Sequence, residues 1–262
     1  MDSYTGFANV YDQLMDNIEY DKWTDYIVKL FNENGLRDGI VLELGCGTGN
    51  ITARLSDKGY DMIGVDNSYE MLQIAMEKKN DRDILYLLQD MREIEMYGTV
   101  AGVVSVCDSI NYLVDYKDLV TTFSLVNKYL DPDGVFVFDL KTSAFFEKIG
   151  DGQISEVRDD CSFIWDNYFD KERKINSYDL TIFEKTLSGL YERSDETHTQ
   201  RAYSIEEIKK ALDEAGMIFE KAYIAFSDNE ADDELIDKKG IDRVYIVARE
   251  NGKRERIEKG LL

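Results

Sequence analysis

The sequence predicts a doubly wound α/β fold, a mostly parallel sheet covered by helices on both faces. Two patterns carry this. From residue 40 onward, short apolar runs alternate with amphipathic helical stretches, as strands buried on both faces of a parallel sheet require. The first run also breaks into three glycines at alternate positions, "VLELGCGTGN" at 41–50. Ahead of it, Trp23, Tyr26, Ile27, Leu30 and Phe31 recur at helical spacing, and Gly35 is a natural stop. Strands are expected at 40–44, 62–66, 84–89, 100–106 and 134–140, with one helix opened by Ser68 and another carrying Leu119, Phe123, Val126 and Leu130. Pro132 sits in the turn "DPDG".

Residues 150–203 break the rhythm. "SFIWDNYF", "KINSYDLTIFEKT" and "LYERSDETHTQRAY" read as extended, with Tyr178, Leu180 and Ile182 alternating with Asp179 and Thr181. They suggest a small antiparallel insertion after the fifth strand, a lid or platform. "SIEE" at 204–207 is a capping box opening a helix that Gly216 ends. Two strands, "IFEKAYIAF" and "RVYIVAR", complete seven; the acidic stretch between them reads as a solvated connection, and the tail after residue 249 as frayed. The expected organisation is one domain over 1–262. It comprises a helical cap (1–36), a core (37–149 and 203–250) and the insertion (150–202).

Bulk properties exclude several functions. A net charge of −22 over 262 residues repels nucleic-acid phosphates and anionic membranes. Cys46, Cys107 and Cys161 form neither a disulfide framework nor a CxxC pair. "MDSYTGFANVYD" lacks the marks of a signal peptide, and no apolar run approaches membrane-spanning length. A cytoplasmic location is expected. With His198 as the only histidine, a His-rich zinc site cannot be built, and no metal is expected; GxSxG and the P-loop pattern are absent.

The glycine loop is the general recipe for holding a ligand at the carboxyl edge of a parallel sheet. Asp66, 21 positions after Gly45, is placed to take a ribose hydroxyl pair. These two features alone permit a nicotinamide or flavin cofactor. Glu43 argues otherwise: a carboxylate beside the loop opposes a pyrophosphate but welcomes an ammonium or a sulfonium. S-adenosylmethionine carries both cations and no phosphate. The third strand ends in "LLQDM", where Asp90 and Met91 can meet an adenine edge, and the fourth in "VCDSINYL".

"VLELGCGTG", "GVDNS", "LLQDM" and "VVSVCDSINYL" resemble the ordered motifs of class I, Rossmann-like S-adenosylmethionine-dependent methyltransferases. The likeness covers about residues 37–140. The N-terminal "FANVYDQLMDNIEYDKW" and the insertion are similar to a narrower group that includes glycine and amino-sugar N-methyltransferases. The resemblance implies a seven-stranded sheet whose last strand is antiparallel. It also implies that Gly45, Cys46, Gly47 and Gly49 admit the methionine portion, with Glu43 holding its amino group. Asp66 would take the ribose, Asn67 and Met71 would flank the adenine, and Asp90 with Met91 would read its amino edge. Cys107 would lie beside the sulfonium. Tyr11, with Tyr20 and Trp23 as neighbours, would fold over the cofactor.

Cys107 follows Val106 rather than the proline expected before a pyrimidine-methylating nucleophile, and the Asn/Asp-Pro-Pro-Tyr/Phe motif is replaced by "CDSINY". Nucleobase methylation is therefore disfavoured. Catalytic candidates are His198, on an insertion strand near the cofactor mouth, and Asp108. Asn111, Tyr112 and Arg201 are candidates for the acceptor pocket. Four of the named residues have a structural alternative: an exposed strand position for His198, an ion pair for Arg201, and core packing for Met71 and Tyr11. The expected reaction is in-line methyl transfer to a nitrogen or oxygen of a small molecule, by a monomer or homodimer. RNA or protein methylation, or a module that binds S-adenosylmethionine without turnover, are the rival readings.

Overall fold

A computed structural model describes residues 8–253 together with Ile257. In chain order it runs α1 (Ala8–Leu14), α2 (Tyr20–Glu33), β1 (Ile40–Leu44), α3 (Asn50–Asp57), β2 (Asp61–Asp66), α4 (Tyr69–Lys78), β3 (Leu85–Leu88) and β4 (Val100–Ser105). A 3-10 turn (Ser109–Tyr112) leads to α5 (Tyr116–Tyr129), β5 (Leu130–Lys141) and α6 (Ser143–Ile149). The insertion strands are β6 (Gly152–Val157), β7 (Cys161–Asp170), β8 (Ile175–Lys185) and β9 (Tyr191–Arg201). The chain then closes with α7 (Ile205–Glu214), β10 (Met217–Ile224), α8 (Asp233–Lys239) and β11 (Arg243–Glu250).

Seven strands form one sheet in the order β10-β11-β5-β4-β1-β2-β3. β1 pairs in parallel with β2 and β4, β2 with β3 and β4 with β5, whereas β11 runs antiparallel to both β5 and β10. The order reverses at β1, so the β1 and β4 carboxyl ends diverge there and leave a crevice. Both faces are covered. Leu119, Phe123 and Val126 of α5 join Ile208 and Leu212 of α7 over one face; Ile27, Leu30 and Phe31 of α2 join Ile51 and Leu55 of α3 over the other. Burying side chains of this size stabilises by about 1.5–3 kcal/mol each, which fixes the angle at which the helix N-termini meet the crevice.

Local chemistry sets the boundaries. The Ser68 hydroxyl accepts from Met71 N (3.2 Å) to open α4, and Asp115 caps α5 by accepting from Lys117 N. The capping box at Ser204 is formed, each partner accepting from the other's backbone. "DPDG" loops out within β5: Val100 pairs with Leu130 but Gly102 with Val135, so β5 begins earlier than the apolar run suggests.

The insertion is a four-stranded antiparallel sheet, β6-β7-β8-β9, one strand more than the sequence pattern indicates. All six residues of β6 are exposed, so no alternation announces it. The acidic connection between β10 and β11 contains α8, whose only buried residue is Ile236; seven residues with one apolar anchor leave no period to read. Helix α1 packs against the insertion through Val10, which meets Cys161, Leu180 and Ile182. The tail beyond Lys253, expected to fray, lies outside the described residues apart from Ile257. Among the described residues no helix is long and apolar enough to cross a membrane.

Candidate active site

The chain leaves β1 through Gly45 (φ 69°), whose N–H and that of Cys46 both donate to Val65 O, at 2.8 and 3.0 Å. A Cβ at Gly45 would stand 2.6 Å from Ser109 Oγ, so no side chain fits between this loop and the turn after β4. Gly47 (φ 53°) has open space where a Cβ would be, and its N–H donates to Asp66 Oδ2 (2.8 Å). The other Asp66 oxygen accepts from Ser68 N (2.9 Å). The two strand ends are thereby tied together by backbone donors around a cavity of about 390 Å³.

Gly45, Cys46, Gly47 and Glu43 form one wall of this cavity, and Asp66, Asn67 and Met71 the next. Asp90 and Met91 follow β3, Cys107 and Tyr112 follow β4, and Tyr11 with Tyr20 reaches in from the N-terminal helices. Asp12, beside Tyr11, pins α1 in place: its carboxylate accepts from Thr48 Oγ1 (2.7 Å), Asn50 Nδ2 (2.8 Å) and Lys78 Nζ (2.6 Å). Sequence reasoning did not single out Thr48, Asn50, Gln89, Arg92 or Ser109, which also line the cavity. The bare Cα at Gly45 was the available signal for Ser109, but its partner lies 64 residues away.

Glu43 is 3% exposed and accepts a hydrogen bond from Thr52 Oγ1. Burial lifts its pKa to about 8, and the neighbouring Asp66 adds to the effect. No cationic side chain among the described residues offsets it. A buried carboxylate at a cavity wall with no counter-cation fits a ligand that brings a positive charge of its own. Burial also raises Asp66, against the N–H groups of Ser68, Gly47 and Asn67, which favour its ionised form. The donor set suits S-adenosylmethionine: a carboxylate for its ammonium, a second for its ribose, and bare backbone for close approach. Asp90 is less available than the motif suggests, because Arg92 forks onto it through Nε (2.9 Å) and Nη2 (2.5 Å) and holds its carboxyl below the usual range.

Six predicted residues are not on the cavity wall. Gly49 turns away to cap α3 in the left-handed conformation. Trp23 belongs to the core: its ring meets Phe226 at 5.3 Å and Tyr245 at 6.1 Å, with the Arg243 guanidinium 4.9 Å above it. Its helical spacing places it on the face of α2 turned to the sheet. Asp108 lies behind Cys107, paired with Lys141 (3.0 Å) and Arg243 (2.9 Å) and accepting from Gln200 Nε2 (2.7 Å). Burial raises its pKa, but Lys141 and Arg243 outweigh this and hold it below the usual range, which leaves it a weak base.

Asn111 is fully buried, donating to Lys141 O (3.0 Å) and Arg201 O (2.8 Å) and accepting from Lys141 N. It joins β5 to the insertion and touches no acceptor space. Arg201 pairs with Glu207 (2.9 Å) and donates to Val114 O, so the ion-pair alternative holds for it. His198 is neither at the mouth nor exposed; it is 1% exposed, behind Tyr112. β9 turns Glu196, His198 and Gln200 inward and Asp195 and Thr197 outward, so alternation buries the histidine. Cys107 lines the cavity, but burial pushes its thiol up to about 12, which keeps it neutral.

A family model described as a methyltransferase domain matches residues 41–134. The Bacillus subtilis protein "Putative methyltransferase YqeM" is 37% identical over 230 residues, 87% of this chain and 91% of its own length. The crystal structure of an S-adenosylmethionine-dependent methyltransferase from Clostridium acetobutylicum matches with a TM-score of 0.82 at 28% identity. That match covers 96% of this chain and 100% of the other. A glycine/sarcosine N-methyltransferase of Parasynechococcus marenigrum is 27% identical over 138 residues, 51% of this chain and 48% of its own.

Proposed function

Because the chain belongs to the class I S-adenosylmethionine-dependent methyltransferases, we propose that it methylates a nitrogen or oxygen of a small, metabolite-sized acceptor. S-adenosylmethionine, when bound, supplies a methyl carbon made electrophilic by its sulfonium. The chain's own work is then positioning and exclusion of water. Glu43 holds the ammonium, Asp66 the ribose, Asn67 and Met71 flank the adenine, and Asp90 with Met91 reads its amino edge. Gly45 and Gly47 keep the wall free of side chains.

The observation that carries the small-acceptor reading is the roof. Tyr11 of α1 and Tyr20 of α2 line the cavity, and α1 is pinned to the glycine loop through Asp12 on Thr48 and Asn50. On this reading the Tyr112 end of the cavity receives the acceptor. The charge of −22 supports it, since it opposes RNA. So does the likeness over half the chain to a protein named for methylating glycine and sarcosine, which are small amines. Residues 150–202 would serve as the platform behind the acceptor end, in an enzyme of reducing, cytoplasmic surroundings.

The test is release of S-adenosylhomocysteine by the purified protein, with Asp66→Ala as control. The small-metabolite filtrate and the macromolecular fraction of a cell extract are supplied separately. Turnover confined to the filtrate is expected. Turnover confined to the macromolecular fraction overturns the reading in favour of RNA or protein acceptors.

A further inference from the structure

β8 and β9 pair so that Tyr178 lies opposite His198, and their rings stack at 4.7 Å with an interplanar angle of 14°. Two positions before His198 on the same inward face of β9, Glu196 is 6% exposed. Its Oε2 lies 3.1 Å from His198 Nε2, and the other ring nitrogen, Nδ1, lies 3.1 Å from the Tyr112 hydroxyl. That hydroxyl is also 2.9 Å from the Tyr178 hydroxyl, and Tyr112 lines the cavity. A carboxylate, an imidazole and a phenol thus run in line from the buried face of the insertion to the acceptor end of the cavity.

The hydrogen-bond directions follow from the carboxylate. With Glu196 ionised, its carboxylate only accepts, which would put the imidazole proton on Nε2 and leave Nδ1 to accept from the Tyr112 O–H. Burial raises the Tyr178 pKa and keeps its phenol protonated, so Tyr178 donates to the Tyr112 oxygen. Burying an acid and an imidazole together in a small sheet is costly unless they are fully paired. Apolar side chains such as Leu180 and Ile182 hold the same sheet together without that cost.

We propose that Tyr112 is the acceptor-facing base of this site and that His198, oriented by Glu196, takes the proton Tyr112 passes on. This rests on the small-acceptor reading above. The acceptor's lone pair forms the new bond to carbon, and the carbon–sulfur bonding pair returns to sulfur, leaving a neutral thioether. The acceptor's surplus proton moves to Tyr112 Oη as the Tyr112 hydroxyl proton moves to His198 Nδ1. The imidazolium so formed is held against Glu196. Tyr112 touches the acceptor and is the catalytic residue; His198 and Glu196 act through it as positioning residues.

His198 is the only histidine, so its two ring nitrogens can be read directly by 15N NMR at alkaline pH without knowledge of the acceptor. The expected spectrum has the proton on Nε2, a shift of the Nδ1 signal on Tyr112→Phe, and a mixture of tautomers on Glu196→Gln. A proton on Nδ1, or an Nδ1 signal indifferent to Tyr112→Phe, overturns the relay. In the filtrate assay a folded Tyr112→Phe should lose about 100-fold in rate, the lower end of what a general base contributes. Its affinity for S-adenosylhomocysteine by calorimetry should stay within about threefold. Filtrate turnover that survives Tyr112→Phe overturns the relay alone. Wild-type silence with the filtrate overturns the small-acceptor reading and the relay with it.

Discussion

The glycine loop after β1 and the Tyr112–His198 cluster face one cavity but are held by different means. At the loop, backbone N–H groups of Gly47 and Ser68 grip the Asp66 carboxylate at the end of the adjacent strand, all within 22 residues from first to last. At the other end, Tyr112 is placed by side chains 66 and 86 residues distant. Asn111 beside it bridges to Arg201, 90 residues on. The loop end is written in short-range geometry that glycine and aspartate alone permit. The cluster end is assembled only when the insertion docks, and so it can vary with the acceptor while the loop end stays fixed.

The sharpest way to break this contrast is Asp66→Ala. It removes the acceptor for two backbone N–H groups and the expected ribose partner. S-adenosylhomocysteine affinity should fall by about 100-fold, roughly 3 kcal/mol, read by calorimetry. A loss under threefold would show that the two strand ends hold the cofactor without it.

Asn111→Ala probes the other end. A fully buried amide would leave Lys141 and Arg201 backbone groups unpaired, destabilising the fold by about 2–3 kcal/mol in denaturant titration. Cofactor affinity should change little in the folded fraction. Equal damage to affinity would mean that the two ends are coupled rather than separate.

Glu43 sharpens the comparison through pH. Its pKa is raised from an ordinary 4.5 to about 8, so folding favours the neutral form. That stabilising contribution is complete below 4.5 and is lost as pH rises through 8. The protein without cofactor should therefore lose stability between those values. S-adenosylmethionine binding, which needs the carboxylate, should strengthen with pH up to about 8 and then level. Glu43→Gln should flatten both curves, measured by denaturant titration and calorimetry across the range. A wild-type affinity independent of pH would remove Glu43 from the ammonium site.

The smallest expected effect is Cys107→Ser. The thiol is neutral and serves only as a small wall residue, so turnover and stability should shift by less than about 0.5 kcal/mol. A large loss of turnover would reinstate it as a nucleophile.

Trp23 and His198 show where the sequence misleads. Trp23 sits near the cavity-lining Tyr20 in the chain, yet its position on the α2 helix points it at Phe226 and Tyr245, some 200 residues away. His198 was identifiable as an unusual group, but the residues around it, Asp195 to Gln200, are polar on both faces and carry no apolar alternation. Which face of that strand would be buried depended on where the insertion packs. β6 and α8 escaped notice for the opposite reason: they bury so little that no period marks them.

The sequence by itself determined the parallel core, the glycine loop after its first strand, Asp66 at the neighbouring strand end and the placement of Glu43 beside the loop. Each of these rests on local backbone geometry or on the period of apolar residues, which a chain carries before it folds. Only the tertiary structure decided that Asp108 is neutralised by Lys141 and Arg243, that Asn111 and Arg201 are braces, and that His198 stands behind Tyr112 with Glu196. Those outcomes depend on distances between residues far apart in the chain, and burial and charge pairing are properties of such distances.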